Sequence, residues 1–167
     1  MVPSTDAEYQ EGRMATVDYE STIRAYFDAC TAGDADAISS FFAPDAVHYF
    51  PDGDTYPDGS PQRAFRGAEA IGFGFGDRFG GEFRTRWTVD HVLVDAARRE
   101  AVIEWSNFKP AVSAEARLRG AEFYRFDEGG KILEIRAYYA CPPGGPETPY
   151  ELGEFDYAGR GYPLAEG

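Results

Sequence analysis

Apolar and polar residues alternate most regularly from Leu118 to Cys141, LRGAEFYRFDEGGKILEIRAYYAC. On the first run Leu118, Gly120, Glu122, Tyr124 and Phe126 share one face of an extended chain. Arg117, Arg119, Ala121, Phe123 and Arg125 share the other. Asp127-Glu128-Gly129-Gly130 supplies turn residues, so the segment reads as a β-hairpin. On the return strand Leu133, Ile135, Ala137, Tyr139 and Cys141 oppose Ile132, Glu134, Arg136 and Tyr138. One residue breaks the pattern. Glu122 stands on the apolar face, where a carboxylate is costly unless protonated, paired or hydrogen-bonded. It is either a structural Glu satisfied by a neighbour or an acid of a functional site.

Upstream the period changes. Ile23, Tyr26, Phe27 and Cys30 lie at i, i+3, i+4 and i+7, one face of a helix that begins near Thr16 or Asp18 and ends at Gly33. Asp34 caps a second, short helix carrying Ile38, Phe41 and Phe42, and Pro44 is expected to stop it. Ala46 to Phe50 reads as a short strand with Ala46, His48 and Phe50 on one side. Pro51 to Phe65 is Pro-, Gly- and Asp-rich and reads as a long loop. Gly67 to about Phe79 reads as a helix weakened by Gly72, Gly74 and Gly76, each costing about 0.8–1 kcal/mol relative to Ala.

Phe83 to Asp95 is a long strand in which Phe83, Thr85 and Trp87 alternate with Arg84 and Arg86. Its phase changes at HVLV, which predicts a β-bulge near Asp90 or His91. Ala96 to Arg99 turns the chain, and Ala101, Ile103, Trp105 and Asn107 then share a face. Residues 1–15 form a polar arm, 16–141 one domain, and 142–167 a Pro- and Gly-rich tail whose aromatics imply packing against the body. The fold class is α+β: a curved antiparallel sheet and about three helices enclosing a cone-shaped pocket.

Composition narrows the function. A net charge of −13 disfavours nucleic acid and anionic membrane as partners. Two cysteines without a spaced framework suggest a reducing, cytoplasmic setting. Two histidines without a Cys/His cluster give no metal site and no cofactor motif. The N-terminus reads as no signal peptide, and no apolar run reaches membrane-spanning length. The 13 Phe, 11 Tyr and 2 Trp suit a pocket for a flat, apolar molecule. Val102, Phe108 and Phe123 fall on the outer face of the sheet, where their apolar surface predicts a homodimer.

The succession YFDACTAGDADAISSFFAPDAV, AFRGAEAI and YRFDEGGKILEIRAYYA resembles the nuclear transport factor 2-like superfamily, nearest its SnoaL-like polyketide cyclases and ketosteroid isomerases, over about residues 16–141. The resemblance implies a cone-shaped α+β barrel, commonly dimeric. In ketosteroid isomerases a helical Tyr, seven residues before a Gly-Asp pair, donates to a developing enolate oxygen. Here it corresponds to Tyr26, ahead of Gly33-Asp34. A protonated acid three residues before the Arg-Phe-Asp-Glu turn corresponds to Glu122, and an aromatic ending the last strand corresponds to Tyr139. The isomerase base, an Asp before Pro, is replaced by Phe50 before Pro51. Arg86 stands where many SnoaL-like members carry a His on the long strand, with His91 at a family Asn position.

The expected catalytic residues are thus Tyr26, His48, Glu122 and Arg86. His48 would take or relay a proton, Tyr26 and a neutral Glu122 would stabilise an oxyanion, and Arg86 would pair Glu122 or an anionic group. Cys30, Phe50, Trp105, Asn107, Tyr124 and Tyr139 would contact the substrate. The function expected is a cofactor-independent acid/base enzyme acting on a small apolar, oxygenated, aromatic or polyketide-like molecule by isomerisation, cyclisation or elimination. The alternative is a non-catalytic binding or assembly domain of the same fold.

Overall fold

The computed structural model describes residues 17–51, 54, 59–111, 117–139, 154–157 and 159–162. Its elements are α1 (Tyr19–Ala32), α2 (Ala35–Ser40), β1 (Phe42–Tyr49), β2 (Ala64–Arg66), α3 (Ala68–Phe73), a π-helical segment (Gly74–Glu82), β3 (Arg86–Asp95), β4 (Glu100–Phe108), β5 (Arg117–Phe126) and β6 (Ile132–Tyr138). One six-stranded sheet runs β2-β1-β6-β5-β4-β3. All neighbours are antiparallel except β1 and β6. The sheet does not close, and the helices pack against its inner face over a core built from Ile23, Ile38, Ile71, Ile103, Ile132 and Ile135. Among the described residues no helix is long and apolar enough to cross a membrane.

The helix caps follow the local sequence. Asp18 accepts from Ser21 N at the start of α1, Gly33 (φ 71°) ends it, and Asp34 accepts from Ala37 N to start α2. Thr16, the other expected cap, lies outside the described residues. Pro44 does not stop α2, which ends at Ser40; it lies within β1. β1 starts four residues earlier than Ala46. Proline fits there because the β1–β6 register shifts between Phe42 and Val47, so the strand leaves the ladder where an N–H is missing. The expected loop over 51–65 contributes a short strand, β2, whose Ala64 and Phe65 pair with Tyr49 and His48.

The glycines of the third helix have a packing reason. A Cβ on Gly76 would meet Ala35 N and Cα at 2.7 Å, and one on Gly80 would meet Gly33 Cα at 2.5 Å. Backbone therefore rests directly on backbone, and the segment relaxes into a wider π-helical turn. β3 begins at Arg86 rather than Phe83, because Phe83 closes the π-helix and Arg84 adopts φ 50°. The bulge expected near Asp90 is present between Val89 and His91.

A second irregularity lies between Arg125 and Phe126. It sets Phe126 opposite Ile132 and turns Ile132 into the core, where strict alternation placed Leu133. On the sheet's outer face, Phe108 is buried rather than exposed, with the Arg117 guanidinium 5.0 Å above its ring. Phe123 and Val102 do lie outward. The described part of the tail meets this face: the Tyr162 hydroxyl donates to Glu104 Oε2 at 2.6 Å, and Tyr157 lies under Arg119 at 4.2 Å. Arg119 is buried there, 2.8 Å from Asp90 Oδ2.

Candidate functional site

The strand register determines which side chains share the concave face. Trp87, Asn107 and Leu118 form one inward row across β3, β4 and β5. Val89, Trp105 and Gly120 form the next, and Ile103, Glu122 and Ala137 the third. Gly120 makes room for Trp105: a Cβ there would stand 2.5 Å from Trp105 Cζ2. His48 is aligned with Ile135 on β6. Roofed by Phe75 and Phe79 of the π-helix, these rows enclose a cavity lined also by Phe50, Lys109 and Tyr139. His48, Trp105, Asn107, Leu118 and Glu122 form its buried floor, while Phe50, Phe79, Trp87, Lys109 and Tyr139 are half-buried and mark its open end. Its free interior is about 20 Å³, room for about one water.

Glu122 is 3 % exposed. Burial raises its carboxyl pKa to about 7, and the hydrogen bond donated by the Tyr124 hydroxyl to Oε2 offsets only part of that rise. Tyr124 is buried behind it, and burial together with the Glu122 charge pushes its phenol well up. His48 is equally enclosed, its ring 4.6 Å from that of Phe50 and 4.9 Å from that of Phe75. Desolvation lowers its pKa to about 3, so the imidazole is neutral.

Five buried polar atoms on residues lining this cavity have no protein partner: His48 Nδ1, Trp87 Nε1, Trp105 Nε1, and both Nδ2 and Oδ1 of Asn107. Leaving one such atom unpaired costs about 1–3 kcal/mol. All five belong to residues that line this one cavity, His48 from β1 and the others from β3 and β4.

Of the residues expected from sequence, His48, Phe50, Trp105, Asn107, Glu122 and Tyr139 are brought together. Tyr26, Cys30, Tyr124 and Arg86 are not among the lining residues. Tyr26 packs edge-on against Phe42 at 5.2 Å and Phe75 at 6.2 Å. Burial raises its pKa, as does the charge of Cys30 and of Glu122. Its hydrogen-bond partner is the Cys30 thiol, itself pushed up by burial, which makes Cys30 a poor nucleophile. Tyr26, Cys30 and Tyr124 thus form a buried layer around Glu122.

Arg86 is exposed. It has the opposite parity to Trp87 and Val89, which turn inward, so it neither lines the cavity nor neutralises Glu122. His91, beyond the bulge, is also exposed, its ring 6.2 Å from that of Tyr162. Trp87, Phe75, Phe79 and Lys109 were not selected from sequence. Trp87 was legible as the alternate of Thr85, whereas the two phenylalanines depended on the path of the π-helix.

Asp54 was indistinguishable from the other acids of its loop. In the structure its buried carboxylate accepts from the Tyr139 hydroxyl at 2.5 Å and from Gln62 Nε2 at 3.3 Å, tying the loop to the end of β6 beside the cavity. Among the described residues no cluster of three or more His, Cys, Asp or Glu is placed to hold a metal ion.

Comparison with known proteins fits this architecture. The SnoaL-like domain profile matches residues 23–135. The chain belongs to the SnoaL-like family, within the nuclear transport factor 2-like superfamily. A protein of unknown function with a cystatin-like fold from Methylobium petroleophilum PM1 is 42 % identical, covering 87 % of this chain and 91 % of its own, with a TM-score of 0.65. The Δ5-3-ketosteroid isomerase of Mycobacterium sp. is 23 % identical over 73 % of this chain and 92 % of its own, TM-score 0.57. RV0760c of Mycobacterium tuberculosis, solved with estradiol-17β-hemisuccinate, is 23 % identical over 73 % and 93 %, TM-score 0.58. The last two likenesses show the fold alone. No curated protein matches the chain significantly.

Proposed function

We propose that this SnoaL-like protein is a cofactor-independent acid/base enzyme for a small, flat, oxygenated molecule, with Glu122 as the group that moves the proton. One observation carries the reading: a buried carboxyl facing an aromatic cavity has a pKa of about 7. Near neutral pH both its forms are populated, which is what a group that both takes and returns a proton requires. The ionised form accepts a proton from a carbon next to a carbonyl, leaving an enolate. The protonated form returns it to another carbon, which is isomerisation, or to a departing hydroxyl, which is elimination. In this reading His48, a weak base once burial lowers its pKa to about 3, orients the molecule while Glu122 takes the proton. Tyr26 acts through the layer behind Glu122. A ligand larger than a water needs lining side chains to move, since the free interior is about 20 Å³. Outside the cavity, Leu93 and Phe123, 63 % and 39 % exposed on the outer face, support the homodimer reading.

The alternative, a binding domain without chemistry, is favoured by Phe50 standing where the isomerase base is expected. Hydrogen–deuterium exchange separates the two. Acetophenone is incubated with the protein in deuterated buffer near neutral pH, and methyl exchange is followed by NMR. Catalysed exchange is expected, falling about 10²–10⁴-fold in Glu122→Leu. Exchange at the buffer rate with wild-type protein, or equal rates in the two proteins, would refute the assignment.

A further inference from the structure

The unpaired polar atoms of the cavity are not a random set. Trp87 Nε1 and Trp105 Nε1 can only donate, and Asn107 adds an amide N–H together with its acceptor oxygen. Asn107 lies directly opposite Trp87 in the β3–β4 register and two residues from Trp105 on the same inward face of β4. Three neutral N–H donors therefore belong to neighbouring inward positions of β3 and β4. Trp105 and Asn107 are each only 1 % exposed, so bulk water does not serve them. Asn107 has Leu118 as its neighbour across β5, which offers no hydrogen bond.

We infer that Trp87, Trp105 and Asn107 form a subsite for the oxygen of an uncharged carbonyl compound carrying a flat ring. This assignment rests on reading the cavity as a ligand site, and it adds the ligand's chemical class and orientation. A carbonyl oxygen has two lone pairs in the plane of its substituents and accepts from more than one N–H at once. A hydrocarbon would leave all three donors unpaired. A carboxylate would add a second negative charge to a chamber that already holds Glu122 and is served only by neutral donors, with Lys109 half-buried at the open end. Phe75, Phe79 and the two indoles line the chamber and give it an aromatic wall, packed ring on ring: the Trp87 and Trp105 centroids are 5.4 Å apart, and those of Phe75 and Trp87 5.8 Å.

The chain has only two tryptophans. Both line this cavity, so intrinsic fluorescence reports its occupancy directly. Titration with acetophenone, ethylbenzene and benzoate tests the subsite in wild type, Asn107→Leu and Trp105→Phe. The wild type is expected to bind acetophenone about tenfold more tightly than ethylbenzene, the equivalent of one or two neutral hydrogen bonds. The infrared carbonyl band of bound acetophenone should shift to lower frequency. In each variant that preference should shrink to about threefold or less, with ethylbenzene affinity kept. Because Asn107→Leu removes two unpaired polar atoms at nearly constant volume, that variant without ligand should melt no lower than wild type.

Three results would overturn the assignment, and they differ in reach. Preference for acetophenone that survives in both variants removes the donor subsite and leaves the cavity a ligand site. Tighter binding of benzoate than of acetophenone refutes the uncharged class. No fluorescence change with any probe removes both the subsite and the ligand cavity itself.

Discussion

Replacing Glu122 by Gln should change how stability depends on pH in a defined window. In the folded protein the carboxyl pKa is about 7, against an ordinary value of 4.5. The folded state therefore holds a proton on Glu122 that the unfolded chain releases between those values. A group of this kind stabilises the fold fully below pH 4.5, and its contribution is lost as pH rises through 7. The full difference of about 2.5 units corresponds to about 3 kcal/mol.

Two other groups slope in the same region. His48, at about 3 in the folded state and 6.5 ordinarily, loses stability as pH falls below 6.5, the opposite sign. Asp90, raised to about 6 mainly by burial, has the same sign as Glu122. The wild-type curve alone is therefore ambiguous, and the difference between wild type and Glu122→Gln isolates the carboxyl. Urea unfolding of both proteins at half-unit steps from pH 4 to 8.5 supplies it. The variant should gain about 3 kcal/mol on wild type between pH 4.5 and 7, then keep a constant offset. A flat difference, or one of opposite sign, would show an ordinary or lowered pKa and remove Glu122 as the proton-transfer group.

Three further outcomes are expected. Gly120→Ala places a Cβ 2.5 Å from Trp105 Cζ2 and 2.8 Å from Tyr138 O, so it should destabilise by about 1–3 kcal/mol and alter tryptophan fluorescence; an unchanged melting curve counts against the packing described. Asp90→Ala leaves Arg119 buried without its carboxylate and removes the acceptor of Ser106 Oγ, and should cost about 3–5 kcal/mol in chemical denaturation, whereas a loss near zero would mean that the pair contributes nothing. On the homodimer reading, wild type should be a dimer and Phe123→Glu a monomer by light scattering at micromolar concentration, and a wild-type monomer would end that reading.

Much of this architecture was legible in the chain because local rules agree with the global fold. Asp18, Gly33 and Asp34 mark helix ends through short-range hydrogen bonds and a left-handed φ, which depend on a few neighbouring residues. The Asp90 bulge shows as a change of parity, because any extra residue in a strand exchanges its two faces. Parity likewise exposed Glu122, since a carboxylate among inward-facing apolar positions conflicts with a period of two whatever lies opposite. His48, Phe50, Trp105, Asn107 and Tyr139 were recoverable on the same ground. The tertiary structure decided what periodicity does not encode. Pro44 sits in a strand because β6 leaves that stretch of β1 unpaired, and Gly76 and Gly80 serve contacts with Ala35 and Gly33 far away in sequence. Ile132 turns inward because the hairpin register slips at Arg125. Arg86 and Tyr26 left the site for different reasons, one by strand parity and one because a helix residue can be buried behind the cavity rather than at it. The opposite titration shifts of His48 and Glu122 also belong to the assembled fold: desolvation acts on both, and it pushes an acid up and a base down only once burial is complete.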